Sequence, residues 1–263
     1  MRDGKRDARW SPRLRGFRAA FVFLTRIPVG GFPYRDDDFR WATAYFPAVG
    51  LVLGALLGLL AAALLAPLGS PVTALLVLTA SMLLTGGFHE DGLADTADAL
   101  GGAFDRDRVL EILKDSRVGT YGAAAVTLSI ALRAALLARL EDGMPMALAL
   151  VQSLARTPPL WLMLALPYAT RAAVARSPQV TWAGPVQVTA ATAFAAAVLL
   201  GFVGTGHLSP GRAVALALTG VAVALVTGWR YRARVEGVTG DFLGATEQVG
   251  EIALLMVLAW TTG

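Results

Sequence analysis

The sequence predicts an all-α fold: a polytopic integral membrane helix bundle of about seven transmembrane helices, plus a short interfacial or re-entrant N-terminal helix. Three observations carry this. Of 263 residues, 56% are hydrophobic and only 16% are charged, where soluble domains carry about 25%. Several apolar runs approach the roughly 20 residues that cross a bilayer. They are continuous and rich in Leu and Ala, not alternating as in a β-barrel. Finally, Lys and Arg concentrate in every second connection, the pattern that orients helices in membranes.

Residues 1–16 read as a flexible basic cytoplasmic arm and 17–263 as a single transmembrane catalytic domain. FRAAFVFLTRI, Phe17 to Ile27, is apolar but too short to cross, and Pro28 stops it. Spans follow over Tyr45–Leu65, Val72–Leu84, Gly122–Leu140, Met146–Leu166, Val186–Val203, Ala213–Trp229 and Phe242–Trp260. Gly50, Gly54 and Gly58 recur every four positions in the first span, which suits close helix packing in lipid. The fourth contains Arg156, Pro158 and Pro159, so it is kinked or broken. Trp41, Tyr45, Tyr168, Trp182, Trp229 and Trp260 fall near span ends as interface anchors.

Most basic residues lie in the arm, in Phe88–Tyr121, in Tyr168–Pro185 with Arg171 and Arg176, and at Arg230, Arg232 and Arg234. Ala66–Pro71, Glu141–Pro145 and Gly204–Arg212 hold almost none. This puts the N-terminus and the Phe88–Tyr121 segment on the cytoplasmic side and the C-terminus outside. It also explains the pI of about 9.8 by topology, not by nucleic-acid binding. The absence of cysteine excludes disulfides and thiolate metal sites. No cleaved signal peptide is expected, because the basic start does not lead into a short apolar core with a cleavage site.

The chemistry is expected in GGFHEDGLADTADALGG, Gly86 to Gly102. On a helix, Asp91, Asp95 and Asp98 fall at i, i+4 and i+7, one stripe of carboxylates. Like charges at this spacing repel by a few tenths of a kcal/mol in water and by more at low dielectric. A bound cation resolves the repulsion, and Mg2+ fits, since it sits between carboxylates and substrate phosphates. Glu90 and His89 lie beside the stripe; one histidine and no thiol argue against zinc. A second polar cluster, Asp241, Thr246, Glu247, Gln248 and Glu251, opens the last span on the same side, suggesting a shared or two-metal site. Helix N-capping is the plain alternative for Asp241.

In DSRVGTYG, Arg117 precedes two glycines, a composition suited to bringing a guanidinium and backbone amides to phosphate. Arg156, within an apolar run, needs a named partner: a phosphate or one of the acids, or a salt bridge that locks two helices. Arg26 reads as a snorkelling arginine or a further phosphate contact. FDRDRVLEIL reads as a helix on the membrane surface, with Asp105 to Arg108 as its solvated face. His207 reads as surface.

Taken in order, FLTRIPV, YFPAVGLVLG, TGGFHEDGLADTADALGG, LEILKDSRVGTYG and TGDFLGATEQVGE resemble the cobalamin synthase family, the adenosylcobinamide-GDP ribazoletransferases. The resemblance runs from about Phe21 to Leu255 and is thin between Pro167 and Arg230. It implies a Mg2+-dependent transferase of the cytoplasmic membrane in vitamin B12 nucleotide-loop assembly. Such an enzyme joins α-ribazole, or its 5′-phosphate, to adenosylcobinamide-GDP, releasing GMP and forming adenosylcobalamin or its phosphate. It further implies that Asp91, Asp95 and Asp98, with Glu90 beside them, hold Mg2+ on the diphosphate, and that Asp98 or Asp95 accepts the proton as the ribazole 5′-oxygen attacks. Lys114 and Arg117 would hold phosphate oxygens, with Arg156 and Arg26 as further substrate contacts. Asp241 and Glu247 would complete a second metal site or orient the alcohol.

Two alternatives stand beside this. DGLADTAD is loosely similar to the aspartate motif of CDP-alcohol phospholipid phosphotransferases, but the further spaced aspartates of that motif do not follow. A cation transporter would use the carboxylates as an ion path, but repeated halves are not visible. The expected partners are the two substrates and the bilayer, with no nucleic acid; a homo-oligomer is left open.

Overall fold

The computed structural model describes residues 11–30, 36–169 and 183–260. Arg171, Arg176, Trp182 and most of the basic arm lie outside those residues. The named elements among the described residues are all helical, and the β-type contact is an isolated parallel bridge between Tyr168 and Val238.

Helix α1 (Pro12–Leu24) starts earlier than the apolar run suggests, because Ser11 caps it and proline opens it. It leans on α2 (Asp36–Ala42) through Arg15, which bonds the buried Asp38 at 2.6 Å. Residues 12–16 are therefore helical, with Arg15 and Gly16 set against α2.

Among the described residues, five helical stretches are long and apolar enough to cross a membrane: Thr43–Thr85, Thr120–Ala165, Pro185–Gly204, Pro210–Val235 and Gly240–Ala259. The first contains α3 (Phe46–Thr85), 40 residues with a non-helical Gly69 (φ 73°, ψ 164°) between Pro67 and Pro71. A straight helix of that length would run about 60 Å. Yet Phe23 of α1 touches Phe46 at one end of α3 and Phe88, just past the other, with ring centroids 5.6 and 5.4 Å apart. The helix therefore folds back at Gly69, where each proline removes a backbone donor and only glycine tolerates the conformation.

Gly86 and Gly87, both left-handed (φ 76° and 70°), turn the chain into α4 (Phe88–Gly102). A short helix α5 (Arg106–Ile112), capped by Asp105, follows. The Thr120–Ala165 stretch comprises α6 (Thr120–Leu140), α7 (Met144–Leu154) and α8 (Pro158–Ala165). The start of α6 touches Asp98 of α4, while Arg139 near its end bonds the Ala259 carbonyl. The exit of α8 returns, because Tyr168 Oη accepts the Gly240 N–H at 2.9 Å. As expected, the fourth predicted span is broken, with Pro158 and Pro159 ending α7 and leaving Arg156 in the gap. The remaining helices are α9 (Pro185–Gly204), α10 (Pro210–Val235) and α11 (Gly240–Ala259).

The glycine stripe packs as predicted. A Cβ on Gly50, Gly54 or Gly58 would stand 2.1, 2.3 or 2.6 Å from the carbonyl oxygens of Gln152, Leu148 and Pro145 on α7. The apolar core, including Leu53, Leu57, Leu150, Val151 and Leu254, is built on this contact and on α11. A second close approach sets the site: a Cβ on Gly92 of α4 would stand 2.8 Å from the Asp241 carbonyl oxygen at the start of α11.

Candidate active site

Helix α4 puts the three aspartates on one stripe, as their spacing requires. Gly92 lets α11 approach closely enough to bring Asp241 to the same place. Thr239, whose side chain accepts the Phe242 N–H, caps α11, so capping does not account for Asp241. Burial, followed by the charges of Asp91, Asp241 and Asp98, pushes the Asp95 carboxyl up to about 6. Asp98 differs from its neighbours, because its carboxylate accepts the backbone N–H groups of Gly119 and Gly122 at 2.7 and 2.9 Å. The amides of the GTYG turn thus grip Asp98, where phosphate was expected.

Behind the stripe lies a buried polar network. Arg133 of α6, 1% exposed, bonds Glu90 at 3.1 Å and Glu251 at 2.8 Å. Gln152 of α7 donates to the other Glu251 oxygen. Arg156 bonds the Gln152 carbonyl at 2.6 Å and faces Glu247 at 3.1 Å. His89 Nδ1 lies 3.3 Å from Glu247. Burial and then the Arg156 charge pull His89 down to about 3, so this contact involves a neutral imidazole, not an ion pair. The expected salt-bridge partner of Arg156 is therefore Glu247. Arg133 was not among the predicted site residues, although a lone arginine in TLSIALRAALL is itself a signal in an apolar run.

Two cavities flank the stripe. One, of about 250 Å3, is walled by Phe23, Phe46, Phe88, Met163 and Tyr168, with Arg156, Asp241 and Glu247 also lining it. The other, of about 780 Å3, lies along Arg26, Gly86, Gly87, Glu90 and Thr127. Asp91 lines both. Arg26 belongs here because its guanidinium lies on Gly86, where a Cβ would stand 2.1 Å from Nε. The phenylalanines escaped the sequence reading because each looks like ordinary core.

Other expected residues do not converge. Arg117 is 86% exposed and pairs with Asp115 at 2.6 Å, and that hydrogen bonding pulls the Asp115 carboxyl down to about 2. Lys114 is exposed. Neither lines the two cavities. Helix α5 does not simply lie on lipid: Val109 and Leu110 are buried in a cluster with Tyr231, Val235 and Phe242. Nor is Arg106 merely solvated, since it donates to the carbonyls of Val235 and Ala169 at 3.2 and 3.0 Å.

The donor chemistry can be tested against Mg2+. Asp91, Asp95 and Asp241 are hard oxygen donors whose mutual repulsion shows in Asp95, and this fits a divalent cation. Among the described residues, no three His, Asp or Glu side chains converge closely enough to hold a metal by themselves. Mg2+ held here would take one or two carboxylates and need phosphate oxygens to complete its shell. Glu90 and Glu247 each already face a guanidinium, of Arg133 and Arg156.

A family model described as cobalamin-5-phosphate synthase matches residues 16–259. The chain is 41% identical over 248 residues to an adenosylcobinamide-GDP ribazoletransferase of Bradyrhizobium diazoefficiens, covering 92% of each chain. A protein of the same name from Shewanella piezotolerans is 33% identical over 257 residues, with 95% of this chain and 96% of that protein covered. Another from Polaromonas sp. is 38% identical, with 94% and 96% covered. No solved structure matches the chain. A match this long, running through the aspartate helix, the GTYG turn and α11, shows that the chain belongs to the cobalamin-5-phosphate synthase family.

Proposed function

We propose that the chain joins ribazole to adenosylcobinamide-GDP and releases GMP, the step of vitamin B12 assembly named by its relatives. The observation that carries this is the family match over residues 16–259, with Asp91, which lines both cavities, clustered with Asp95 and Asp241. Family membership sets aside the phospholipid phosphotransferase and transport readings.

A ribose hydroxyl of ribazole attacks the phosphorus attached to cobinamide. The new P–O bond forms, the bond to the GMP phosphate breaks, and the hydroxyl proton moves to a carboxylate. The expected 5′-oxygen is blocked when it carries a phosphate. A family described as making cobalamin 5-phosphate leaves that position to the phosphate, so another ribose hydroxyl attacks. Asp95 is the better proton acceptor: its raised affinity for protons suits a base near neutral pH, whereas two N–H groups hold the Asp98 oxygens. Asp91 and Asp241 would hold Mg2+, which when bound neutralises charge developing on the diphosphate and the leaving phosphate. Arg26 at the wider opening and Arg156 in the smaller cavity are the proposed substrate contacts; Lys114 and Arg117 would reach substrate only by leaving their exposed positions.

The helices are proposed to cross the inner membrane seven times, counting α3 as two crossings and α6 with α7–α8 as two, with the site facing the cytoplasm. The deciding experiment incubates purified protein with adenosylcobinamide-GDP, α-ribazole and Mg2+. GMP should appear only with both substrates, stop with chelator, and fall by about 100-fold or more in Asp95→Ala. Near-normal turnover of that variant would remove the proposed base.

A further inference from the structure

The two cavities that meet at Asp91 differ in size and in what they can accept. The smaller, about 250 Å3, cannot hold a corrin macrocycle with its adenosyl and GDP groups; it has room for a flat base and a pentose. Its apolar wall is aromatic. Phe23 and Phe46 lie parallel to within 6°, with centroids 5.6 Å apart, and Phe88 meets Phe23 edge-on at 5.4 Å. Such faces and edges bind planar rings.

Charge sorts the ligands in the same way. Asp91, Asp241 and Glu247 line this cavity against the single guanidinium of Arg156, so apart from the Mg2+ proposed at Asp91 and Asp241 its side chains offer a diphosphate one cation against three carboxylates. Two buried atoms also lack hydrogen-bond partners, Nε of Arg156 and Oε1 of Glu247, on residues 2% and 1% exposed. Glu247 Oε1 faces the Arg156 Nη1 atom at 3.1 Å but without a hydrogen-bonding angle. Those two atoms are closed off inside the cavity wall, but both side chains line the cavity, and sugar hydroxyls, which both give and accept, suit a donor and an acceptor set side by side.

We propose that the smaller cavity is the nucleoside subsite. It takes the benzimidazole-type base of ribazole among Phe23, Phe46 and Phe88, and the ribose against Arg156 and Glu247, while the wider opening receives the corrinoid diphosphate. The assignment rests on the reaction proposed above. It puts the attacking hydroxyl beside Asp91, on the boundary that both ligands share and one helical turn from the proposed base Asp95.

A crossover in substrate dependence tests it. Met163→Trp narrows the smaller cavity. It should raise KM for α-ribazole and for α-ribazole 5′-phosphate alike by about tenfold or more, leaving KM for adenosylcobinamide-GDP within about twofold. Thr127→Phe, in the wider opening, should do the reverse. A shift confined to the phosphorylated form would mean the cavity holds a phosphate and would overturn the assignment, as would a reversed or absent crossover. Because the chain has no cysteine, Leu243→Cys, in the lining of the smaller cavity, gives a second readout should either variant fail to fold. α-Ribazole should protect that cysteine from alkylation and adenosylcobinamide-GDP alone should not; protection by the corrinoid alone overturns the proposal. Absence of GMP release by the wild-type chain would count against the reaction. Wild-type turnover without the crossover would count against this subsite.

Discussion

Replacing Arg133 by leucine should be among the most damaging single changes away from the aspartates. The guanidinium is 1% exposed and bridges α4 to α11 through Glu90 and Glu251, at 3.1 and 2.8 Å. Leucine leaves both carboxylates buried. Glu251 keeps Gln152, whereas among the described residues Glu90 is paired with Arg133 alone. Removing one partner of a buried ion pair costs about 3–5 kcal/mol, a large part of the 5–15 kcal/mol that holds a typical domain folded. The same principle predicts rescue, since replacing a whole buried charge set with apolar or neutral groups is often close to neutral. Arg133→Leu with Glu90→Met and Glu251→Gln should recover about half the loss or more. Reversible unfolding in mixed detergent micelles would measure both. A cost below about 1 kcal/mol for the single variant, or a triple variant no better than the single, would refute the reasoning.

Three other outcomes follow from the same geometry. Gly54→Ala would put a Cβ 2.3 Å from the Leu148 carbonyl oxygen and should destabilise by about 1–3 kcal/mol; Gly201→Ala, where nothing lies within 4 Å, should be neutral or stabilising by up to about 1 kcal/mol in the same unfolding assay. With Asp95 as the base and its carboxyl at about 6, kcat/KM should rise with pH and level off above that value, and the pH–rate profile of Asp95→Asn should lose this limb. The stability contribution has the opposite sign: a raised carboxyl favours the protonated folded state, so its stabilisation is full below the ordinary range near 3.8 and is lost as pH rises through about 6. Single cysteines at Glu111 and His207 should react with membrane-impermeant reagent from opposite faces of oriented vesicles; labelling from one face would refute the proposed topology.

Much of the site could be read from the chain, and what could not shares one feature. The aspartate stripe needs only helical spacing, so Asp91, Asp95 and Asp98 were recognisable as a unit. Asp241 drew notice through polarity inside an apolar span, and Arg156 did so too. The partners were out of reach. Asp98 meets amides 21 and 24 residues away. Phe23, Phe46 and Phe88 become a cavity wall only when α1 lies across the two ends of α3. Exposure misled in the other direction at Arg117, whose glycine-rich context suggested phosphate but whose nearest acid, Asp115, is two residues away.

The linear chain by itself determined that this is a helical membrane protein, where its helices break, and that carboxylates gather on α4. Hydrophobic run length, proline and glycine placement and helical periodicity all act within a few turns. Only the tertiary structure decided which charges meet. Arg133 finds Glu90 and Glu251, 43 and 118 residues distant, and Gly92 admits α11 so that Asp241 joins the stripe. These pairings depend on how helices pack across the bundle, and a buried charge selects its partner by proximity in space, for which adjacent residues carry no signal.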